Sequence, residues 1–341
     1  KYYNRDILFM GPRAEIMRRV GNKLAARNLA KQNGVPVFEG SEMIRDLDHA
    51  YEAADDIGYP VLVKLDAGGG GKGMTPVFGR DGLAEALDSS RRIGRDLYGD
   101  DRLYLERLIA KPVHMEVQIF NGMAVGLRKC AVQRRNQKII EESGHSFLTE
   151  RQCEDLFEAA ENMARISGYS EGGGAGTVEF LYDAESQAFG FLEMNTRLQV
   201  EYAVTDQSLG VDLAKWQIRF FDGRIEEIPF ADTRARRLSD LQHAIECRIY
   251  AEDPENDYAP SPGDILELDL PTFNGVRNDF GFREGDRVLP FYDPMIGKVI
   301  VRGATREEAL ERIERVLQDL YIKGIHTNVG QLLRVVRHPA F

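Results

Sequence analysis

Residues 191–201 read Phe-Leu-Glu-Met-Asn-Thr-Arg-Leu-Gln-Val-Glu, and polar side chains alternate with apolar ones along this stretch. Because a strand places successive side chains on opposite faces, the alternation predicts a strand with one polar face. Acids, amides and a cation would follow one another on that face, which suits a metal ion and an anion held side by side. The alternative is a half-buried strand with a solvated face, the usual meaning of alternation. The polar positions are Glu193, Asn195, Arg197, Gln199 and Glu201.

The composition is typical of a soluble protein with two or three domains, since 43% of its 341 residues are hydrophobic and 29% are charged. The formal net charge of -11 argues against nucleic acid as the main partner, and any anion site must be built from local cations. No apolar run is long enough to span a membrane, so no membrane partner is expected. The three distant cysteines, Cys130, Cys153 and Cys247, favour a reducing compartment over a disulfide framework.

Predicted helices and strands alternate along the chain, which indicates an α/β or α+β fold. Helices are expected near residues 13–33, 42–57, 81–97, 149–167, 211–222 and 305–320. Strands are expected at 61–65, 102–105, 114–120, 177–182, 190–195, 243–250 and 298–302. Segment 36–107 is predicted to be a compact β-α-β-α-β unit, and a third unit is predicted from about residue 241, after Pro229 and a charged stretch.

Four consecutive glycines, Gly68, Gly69, Gly70 and Gly71, follow the predicted strand that contains Lys64. Backbone N–H groups in such a run can approach phosphate oxygens without steric conflict. Neither a Rossmann turn nor a Walker A motif fits, because no helix is predicted after the run and Lys72 is followed by Gly. The two lysines favour a flexible lid over a triphosphate, and a mobile surface loop is the alternative.

Two predicted strands, 177–182 and 190–195, flank a polar connection and indicate a β-hairpin. A register that is symmetric about residue 186 places Glu179 opposite Glu193. Opposed carboxylates repel each other, and a divalent cation between them removes that repulsion. Mg²⁺ prefers one or two carboxylates together with phosphate oxygens, so Glu179, Glu193 and Asn195 form a candidate metal site. The alternative is a pair of exposed glutamates, or a register that separates them.

A basic run from Gln133 to Lys138 is followed at once by two acids, Glu141 and Glu142, which argues against nucleic-acid binding. Such a cluster is usually a solvated face. In an acidic protein it can also hold a small anion, since Arg offers a planar fork and Lys a point charge.

In this order, the motifs resemble those of biotin carboxylases, which are members of the ATP-grasp family. The resemblance covers nearly the whole chain. Two strings are specific in combination: Glu193-Met194-Asn195-Thr196-Arg197-x-Gln199-Val200-Glu201 and His243-Ala244-x-Glu246-Cys247-Arg248. The resemblance implies an α+β ATP-grasp fold, with a lid subdomain at 36–107 and a central mixed-sheet catalytic subdomain at 108–235 whose first part is 1–35. It also implies a C-terminal biotin-carboxylase domain at 236–341, and the N-terminal pre-grasp domain is expected to be absent.

The resemblance also implies a role for each residue that matches a family motif. ATP is expected at Lys23, Lys64, Gly68, Gly69, Gly70, Gly71, Glu106, Ile109, His114, Gln133 and Leu181. Mg²⁺ or Mn²⁺ is expected at Glu179, Glu193 and Asn195. Bicarbonate is expected at Lys138, Arg197, Gln199 and Val200, with Glu201 as its base. Arg248 is expected to stabilise the biotin enolate.

The implied reaction is the carboxylation of biotin by ATP and bicarbonate through carboxyphosphate, the first half-reaction of a biotin-dependent carboxylase. Because no Ala-Met-Lys-Met attachment motif occurs, the biotin is expected on a carrier protein or domain. A carboxyltransferase component and a homodimer or larger assembly are the other expected partners. The expected location is the cytoplasm, or the mitochondrial matrix in a eukaryote.

The sequence departs from the usual family pattern at Asn22, Lys72, Asn136, Tyr202 and the string Glu142-Ser143-Gly144-His145. Two other functions stay open. One is a different ATP-grasp carbon–nitrogen ligase, such as a carbamoyl-phosphate synthetase domain, against which the Glu246-Cys247-Arg248 string tells. The other is a nucleotide-binding scaffold without turnover.

Overall fold

The computed structural model describes residues 8–68, 73–135, 137–144, 147–230, 233 and 242–341. Two short helices come first, α1 (Ala14–Gly21) and α2 (Lys23–Gln32). The prediction of one helix over 13–33 is therefore wrong. Asn22 has an extended backbone and caps α2, because its Oδ1 accepts a hydrogen bond from the backbone N–H of Ala25 at 2.7 Å.

A small antiparallel sheet comes next in the chain. Its elements are α3 (Leu47–Ile57), β1 (Val61–Leu65), β2 (Met74–Val77), α4 (Leu83–Tyr98) and β3 (Leu103–Arg107), and the strand order is β2-β1-β3. Buried residues such as Ala54, Val63 and Leu87 give this unit a core of its own. The first strand expected in the unit is reduced to one bridge between Gly40 and Glu106.

Most strands of the remaining chain belong to one large sheet. Residues 108–230 form β4 (Pro112–Phe120), β5 (Met123–Arg134), β6 (Gln137–Ser143), α5 (Glu150–Ser167), β7 (Ala175–Asp183), β8 (Ala188–Asn195), α6 (Tyr202–Leu209) and α7 (Leu213–Phe221). Residues 242–341 form β9 (His243–Tyr250), β10 (Glu252–Asp253), β11 (Ala259–Pro260), β12 (Gly263–Asp264), β13 (Glu267–Asp269), β14 (Val276–Phe280), β15 (Arg287–Val288), β16 (Met295–Gly303), α8 (Arg306–Asp319), β17 (Tyr321–Lys323) and α9 (Val329–Val336). The large sheet has eight antiparallel strands in the order β14-β16-β9-β6-β5-β4-β7-β8.

The two faces of this sheet have different chemistry. On β4, the alternate residues Met115, Val117 and Ile119 are fully buried in a core shared with α5. The residues between them, Glu116 and Gln118, point to the opposite face, as the alternation of a strand requires. That second face is polar. It is nevertheless buried, because α6 packs across it.

The large sheet joins two of the predicted domains. Strand β6 pairs with β9 through Ile140 and Cys247, Glu141 and Glu246, and Glu142 and Ile245. Residues on either side of the predicted boundary at 235 therefore belong to one continuous sheet. The bounds of the predicted domains themselves stay a prediction. Within the described ranges, no helix has both the length and the apolar composition needed to cross a membrane.

The strand predicted at 190–195 is confirmed by β8, which ends at Asn195, whereas an extension of that strand through residue 201 is wrong, because a turn leads into α6. The amide nitrogens of Asn195 and Gln199 donate to the same Oε1 of Glu179, at 2.8 Å and 2.9 Å. Four residues of extended strand would separate these two amides by roughly 13 Å. The chain therefore has to turn after Asn195 for both amides to reach one carboxylate.

Candidate active site

The β7–β8 hairpin has the predicted register, with Glu179 opposite Glu193, and an irregularity follows directly after this pair. Glu179 is buried and Glu193 is half-buried. Asn195 bridges the pair, donating to Glu179 at 2.8 Å and to Glu193 at 3.3 Å. Two carboxylates and an amide at one end of a hairpin are a donor set that fits Mg²⁺ or Mn²⁺. Lys23 lies next to this candidate metal site, with its Nζ 2.9 Å from Glu193 Oε2.

Glu179 accepts hydrogen bonds from four side chains. Besides the two amides, His114 Nε2 lies 2.7 Å from its Oε2 and Lys138 Nζ lies 3.0 Å from its Oε1. Burial alone would raise the pKa of Glu179, but the hydrogen bond and charge of His114, with the charge of Lys138, lower it to about 2. Glu179 is therefore ionised at neutral pH. On the far side of the His114 ring, Gln133 Nε2 lies 2.9 Å from Nδ1.

Lys138 lies at the centre of three buried carboxylates. Its Nζ donates to Glu116, to Glu179 at 3.0 Å and to Glu201 at 2.8 Å. One oxygen of each carboxylate lies within 4.8 Å of the others. Burial disfavours the ammonium, but the attraction of Glu116 and of the other acids raises the pKa of Lys138 well above its ordinary value. The amine therefore keeps its positive charge.

Arg248 completes a chain of charges through Glu201. Its guanidinium donates to Glu201 Oε2 at 3.0 Å and forms a close ion pair with Glu141. Glu246 lies on the same strand as Arg248 but does not form an ion pair with it. Glu246 pairs with Lys298 at 3.1 Å, because the neighbouring strand β16 places that lysine directly across from Arg248. Glu201 therefore lies between two cations, Lys138 and Arg248.

Arg128, which was not predicted as a site residue, lies beside this pocket and contacts its buried polar side chains. Arg128 is fully buried on β5 and contacts Glu116 at 3.1 Å, Gln118 at 2.6 Å and Gln199 at 3.4 Å. It also joins two elements, since it donates to Thr177 on β7 and Thr205 on α6. One signal was available, because a charged residue inside an apolar strand is almost never fully buried unless it is paired.

The residues predicted to bind ATP lie on or next to both sheets. On the small sheet, Lys64 Nζ donates to Glu106 Oε2 at 2.6 Å, and Arg27 lies 3.4 Å from the same carboxylate. Ile109 is buried, and Leu181 is half-buried opposite His114 on the large sheet. The backbone N–H of Gly68 donates to Leu65 at 3.1 Å. Gly69, Gly70 and Gly71 lie outside the described residues, as do Lys72, Asn136 and His145.

Arg197 is the predicted bicarbonate residue that stands apart from the others. Its side chain is exposed and donates to the carbonyl oxygen of Leu198 at 3.3 Å. In the described part of the chain, no hydrogen bond joins it to Lys138, Glu201 or Arg248. The remaining predicted bicarbonate residues, Gln199 and Val200, lie in the turn that leads to Glu201.

Two family models match the chain. The ATP binding domain of the carbamoyl-phosphate synthase L chain matches residues 22–226, and the biotin carboxylase C-terminal domain matches residues 246–341. A biotin carboxylase from Halalkalibacterium halodurans is 41% identical over 98% of this chain and 73% of its own length. The chain belongs to the biotin carboxylase family.

Further members of the biotin carboxylase family agree in sequence and in fold. A pyruvate carboxylase subunit from Methanothermobacter thermautotrophicus is 40% identical over 98% of this chain and 67% of its own length. The biotin carboxylase–beta-gamma-ATP complex from Campylobacter jejuni has a TM-score of 0.90 at 36% identity, covering 98% of this chain and 74% of that chain. The biotin carboxylase domain dimer of Hydrogenobacter thermophilus 2-oxoglutarate carboxylase, in complex with MgADP, ADP and bicarbonate, has a TM-score of 0.90 at 34% identity, covering 98% and 73%. The predicted ATP-grasp fold with a C-terminal biotin-carboxylase domain is confirmed.

Proposed function

We propose that this protein catalyses the ATP- and bicarbonate-dependent carboxylation of biotin. The observation that carries the proposal is the position of Glu201, a buried carboxylate between the cations Lys138 and Arg248. A carboxylate alone would repel bicarbonate, and the two fixed cations beside Glu201 offset that repulsion so that an anion can approach the base. The resemblance to proteins in complex with nucleotide and bicarbonate supports the same reaction.

ATP and Mg²⁺ are the proposed cosubstrate and metal. Glu179, Glu193 and Asn195 would hold the metal, which supplies charge neutralisation at the phosphates when it is bound. Lys23 and Lys64, together with the segment that contains Gly68, would bind the phosphates, and Lys23 already lies beside Glu193. The nucleotide would thus bridge the small sheet and the large sheet.

The base step depends on residues of the turn after β8. Glu201 would accept the proton of bicarbonate, which is a poor nucleophile until it is deprotonated. The bicarbonate oxygen would then attack the γ-phosphate, releasing ADP and giving carboxyphosphate. Lys138, Gln199 and the backbone of Val200 would orient the anion for that attack. Arg197, which is exposed, would have to turn inward to join them.

Arg248 has a second proposed role in the transfer to biotin. Breakdown of carboxyphosphate gives CO₂ and phosphate, and the phosphate can take the proton from the biotin nitrogen. The negative charge then develops on the ureido oxygen of biotin, and a fixed guanidinium is suited to stabilise it. Arg248 is buried and held by two carboxylates, so its position is fixed before biotin arrives.

The proposed partners follow from the names of the relatives. Subunits of pyruvate carboxylase and of methylcrotonoyl-CoA carboxylase are among them. We therefore infer that biotin is presented on a carrier protein or domain and that a carboxyltransferase component takes up the carboxyl group. Assembly as a homodimer or larger, and location in the cytoplasm, are part of the same proposal.

The test measures phosphate release and carboxylation of free biotin by the full-length protein. Phosphate release that requires bicarbonate, together with carboxybiotin, is the expected result. Carbamoyl phosphate formed from ammonia would instead identify a different ATP-grasp ligase. ATP binding without any turnover would identify a nucleotide-binding scaffold, and either outcome would overturn the proposal.

A further inference from the structure

A buried ammonium group lies directly beneath the turn that carries Glu201. It belongs to Lys298 on β16, and Lys298 Nζ donates to the backbone carbonyl oxygen of Val200. We infer that Lys298 is a positioning residue, which fixes the Val200–Glu201 peptide in the geometry that binds bicarbonate. This inference rests on the proposed function.

The surroundings of Lys298 show why its ammonium stays in this place. Glu246 Oε2 lies 3.1 Å away and Asp279 Oδ2 lies 3.7 Å away, so two acids offset its charge. The ring of Tyr202 covers it from a further side, with the ring centroid 4.8 Å from Nζ. The residue is only 6% exposed, so the amine has little access to water as an alternative partner.

The turn that Lys298 contacts is held by side-chain contacts to Gln199 and Glu201, and Lys298 adds one to its backbone at Val200. Residues 196–200 belong to no helix or strand, and Glu201 is the residue before α6. A carbonyl oxygen and the next N–H belong to one planar unit, so holding the Val200 oxygen orients the whole Val200–Glu201 peptide. Rotation of that peptide would move the carboxylate of Glu201 away from Lys138, which it contacts at 2.8 Å.

The strand register connects this anchor to the rest of the site. Lys298 lies directly across from Arg248 in the β16–β9 pair. This cross-strand pair therefore supplies two cations, and the two have different roles. Arg248 contacts the carboxylate of Glu201, whereas Lys298 contacts the backbone just before it.

The experiment compares steady-state ATP cleavage in the full-length wild type, Lys298→Met and Lys298→Arg, with bicarbonate and ATP varied separately. Because a small misplacement of a reacting group costs up to about 10²-fold, Lys298→Met should raise the KM for bicarbonate about 10-fold or more. The KM for ATP should stay within about twofold, since Lys298 contacts none of the proposed ATP residues that the structure describes. Lys298→Arg should restore most of the loss, because it keeps a charged donor.

A second variant separates positioning from folding. Lys298→Met leaves Glu246 buried without its cation, and Glu246 Oε1 already has no hydrogen-bond partner among the described residues. Lys298→Met/Glu246→Gln replaces that unpaired carboxyl group by an amide, and Glu246→Gln alone is the matched control. The double variant should recover thermal stability while its KM for bicarbonate stays raised.

Three outcomes decide the matter. A bicarbonate KM that returns to the wild-type value in the double variant would mean that Lys298 only balances Glu246, and the inference would fall. An unchanged KM in Lys298→Met would overturn it as well. Wild-type protein without bicarbonate-dependent ATP cleavage would instead refute the proposed function, which is a different failure.

Discussion

The ammonium group of Lys138 faces three buried carboxylates. The balance of positive and negative charge around it determines whether the pocket attracts or repels an anion. Glu116 is also bound by Arg128, and Glu201 is also bound by Arg248, so each acid has a cation of its own. Desolvated charges are stable only when every one is paired. A bound bicarbonate would add one negative charge, and Lys23 or Arg197 would be needed nearby to balance it.

The first prediction concerns Arg248. Arg248→Ala should lower carboxybiotin formation by about 10²–10³-fold, as for the loss of an oxyanion donor. Bicarbonate-dependent phosphate release should fall less, because Lys138 remains beside Glu201. Both products are measured in the same reaction. Arg197→Ala should reduce both products together, and Arg334→Ala, exposed on α9, should reduce neither. A parallel loss of both products in Arg248→Ala would contradict the enolate role.

The second prediction concerns the metal. Glu193→Gln should weaken Mg²⁺-dependent ATP binding, because the candidate site then loses one of its two carboxylates. Calorimetric titration with ATP, with and without Mg²⁺, measures the effect. Glu185→Gln lies in the exposed turn of the same hairpin and serves as the matched control. If Glu193→Gln binds Mg²⁺ and ATP like the wild type, the metal lies elsewhere.

At the scale of elements, the local pairing of the hairpin could be predicted and the turn after it could not. The connection between β7 and β8 is short, so the hairpin register follows from the sequence, and Glu179 meets Glu193 as expected. Alternation after Asn195 looks the same in a strand and in a turn. The partner of Glu246 also depends on the neighbouring strand β16, which lies about 50 residues further along the chain. Such long-range partners leave no local pattern.

The strings shared with the family located several site residues that periodicity could not. Glu201 and Arg248 were expected in one site only because of the resemblance, and the structure places them 3.0 Å apart. Arg128 and Lys298 were not assigned a role, since neither the alternation nor the basic run singled them out. Their importance comes from burial and from contacts across strands. The roles of all these residues stay predictions until they are measured.

The third prediction concerns Glu142, at the pairing of strands β6 and β9. Glu142 on β6 accepts from His243 on β9 at 3.0 Å and from Arg306 on α8 at 2.8 Å, and Lys129 lies 3.1 Å away. Burial would raise its pKa, but the hydrogen bonds from His243 and Arg306 lower it to about 2. Glu142→Gln should therefore cost about 2 kcal/mol of unfolding free energy at pH 7.

The pH dependence of that cost has a definite sign. Because the pKa of Glu142 falls from its ordinary 4.5 to about 2 on folding, its contribution is complete above pH 4.5. It is lost as the pH falls from 4.5 toward 2. Thermal unfolding of the wild type and Glu142→Gln should thus differ equally at pH 7 and pH 5.5, and less at pH 4. Glu158→Gln, on the exposed side of α5, should show no such difference. A gap that widens on acidification would contradict the assignment.

At the scale of the whole molecule, the described residues form three cores along one sheet, and the smallest, under α7, includes Phe120 and Trp216. The core beneath α5 includes Phe157 and Phe180, and the core beneath α8 includes Ile249 and Val299. The small sheet has its own core and joins none of them. Proposed ATP residues on the small sheet can therefore move relative to Lys138 without disturbing either of the two larger cores. Proposed bicarbonate and biotin residues share one sheet, and we expect them to move together.

The fourth prediction tests the continuity of the large sheet. Cleavage at a protease site inserted between residues 230 and 242 should leave the two halves of the protein associated. The β6–β9 pairs and the ion pairs of Glu141 and Glu142 with Arg248 and Arg306 should hold the fragments together. Gel filtration of the cleaved protein should give one peak, and two fragments should appear only in denaturant. Two peaks under native conditions would show that the sheet is not a stable connection.

The pairing of β6 with β9 also limits which chimeras can be made between this enzyme and its relatives. Glu201 and Arg248 come from the two regions that separate family models match, 22–226 and 246–341. A chimera that exchanges the second region must keep the β6–β9 alignment to the residue. A slip by one position would turn Arg248 into the apolar core and bring Cys247 to the pocket. Such chimeras should therefore either keep the contact between Arg248 and Glu201 or lose the carboxylation of biotin.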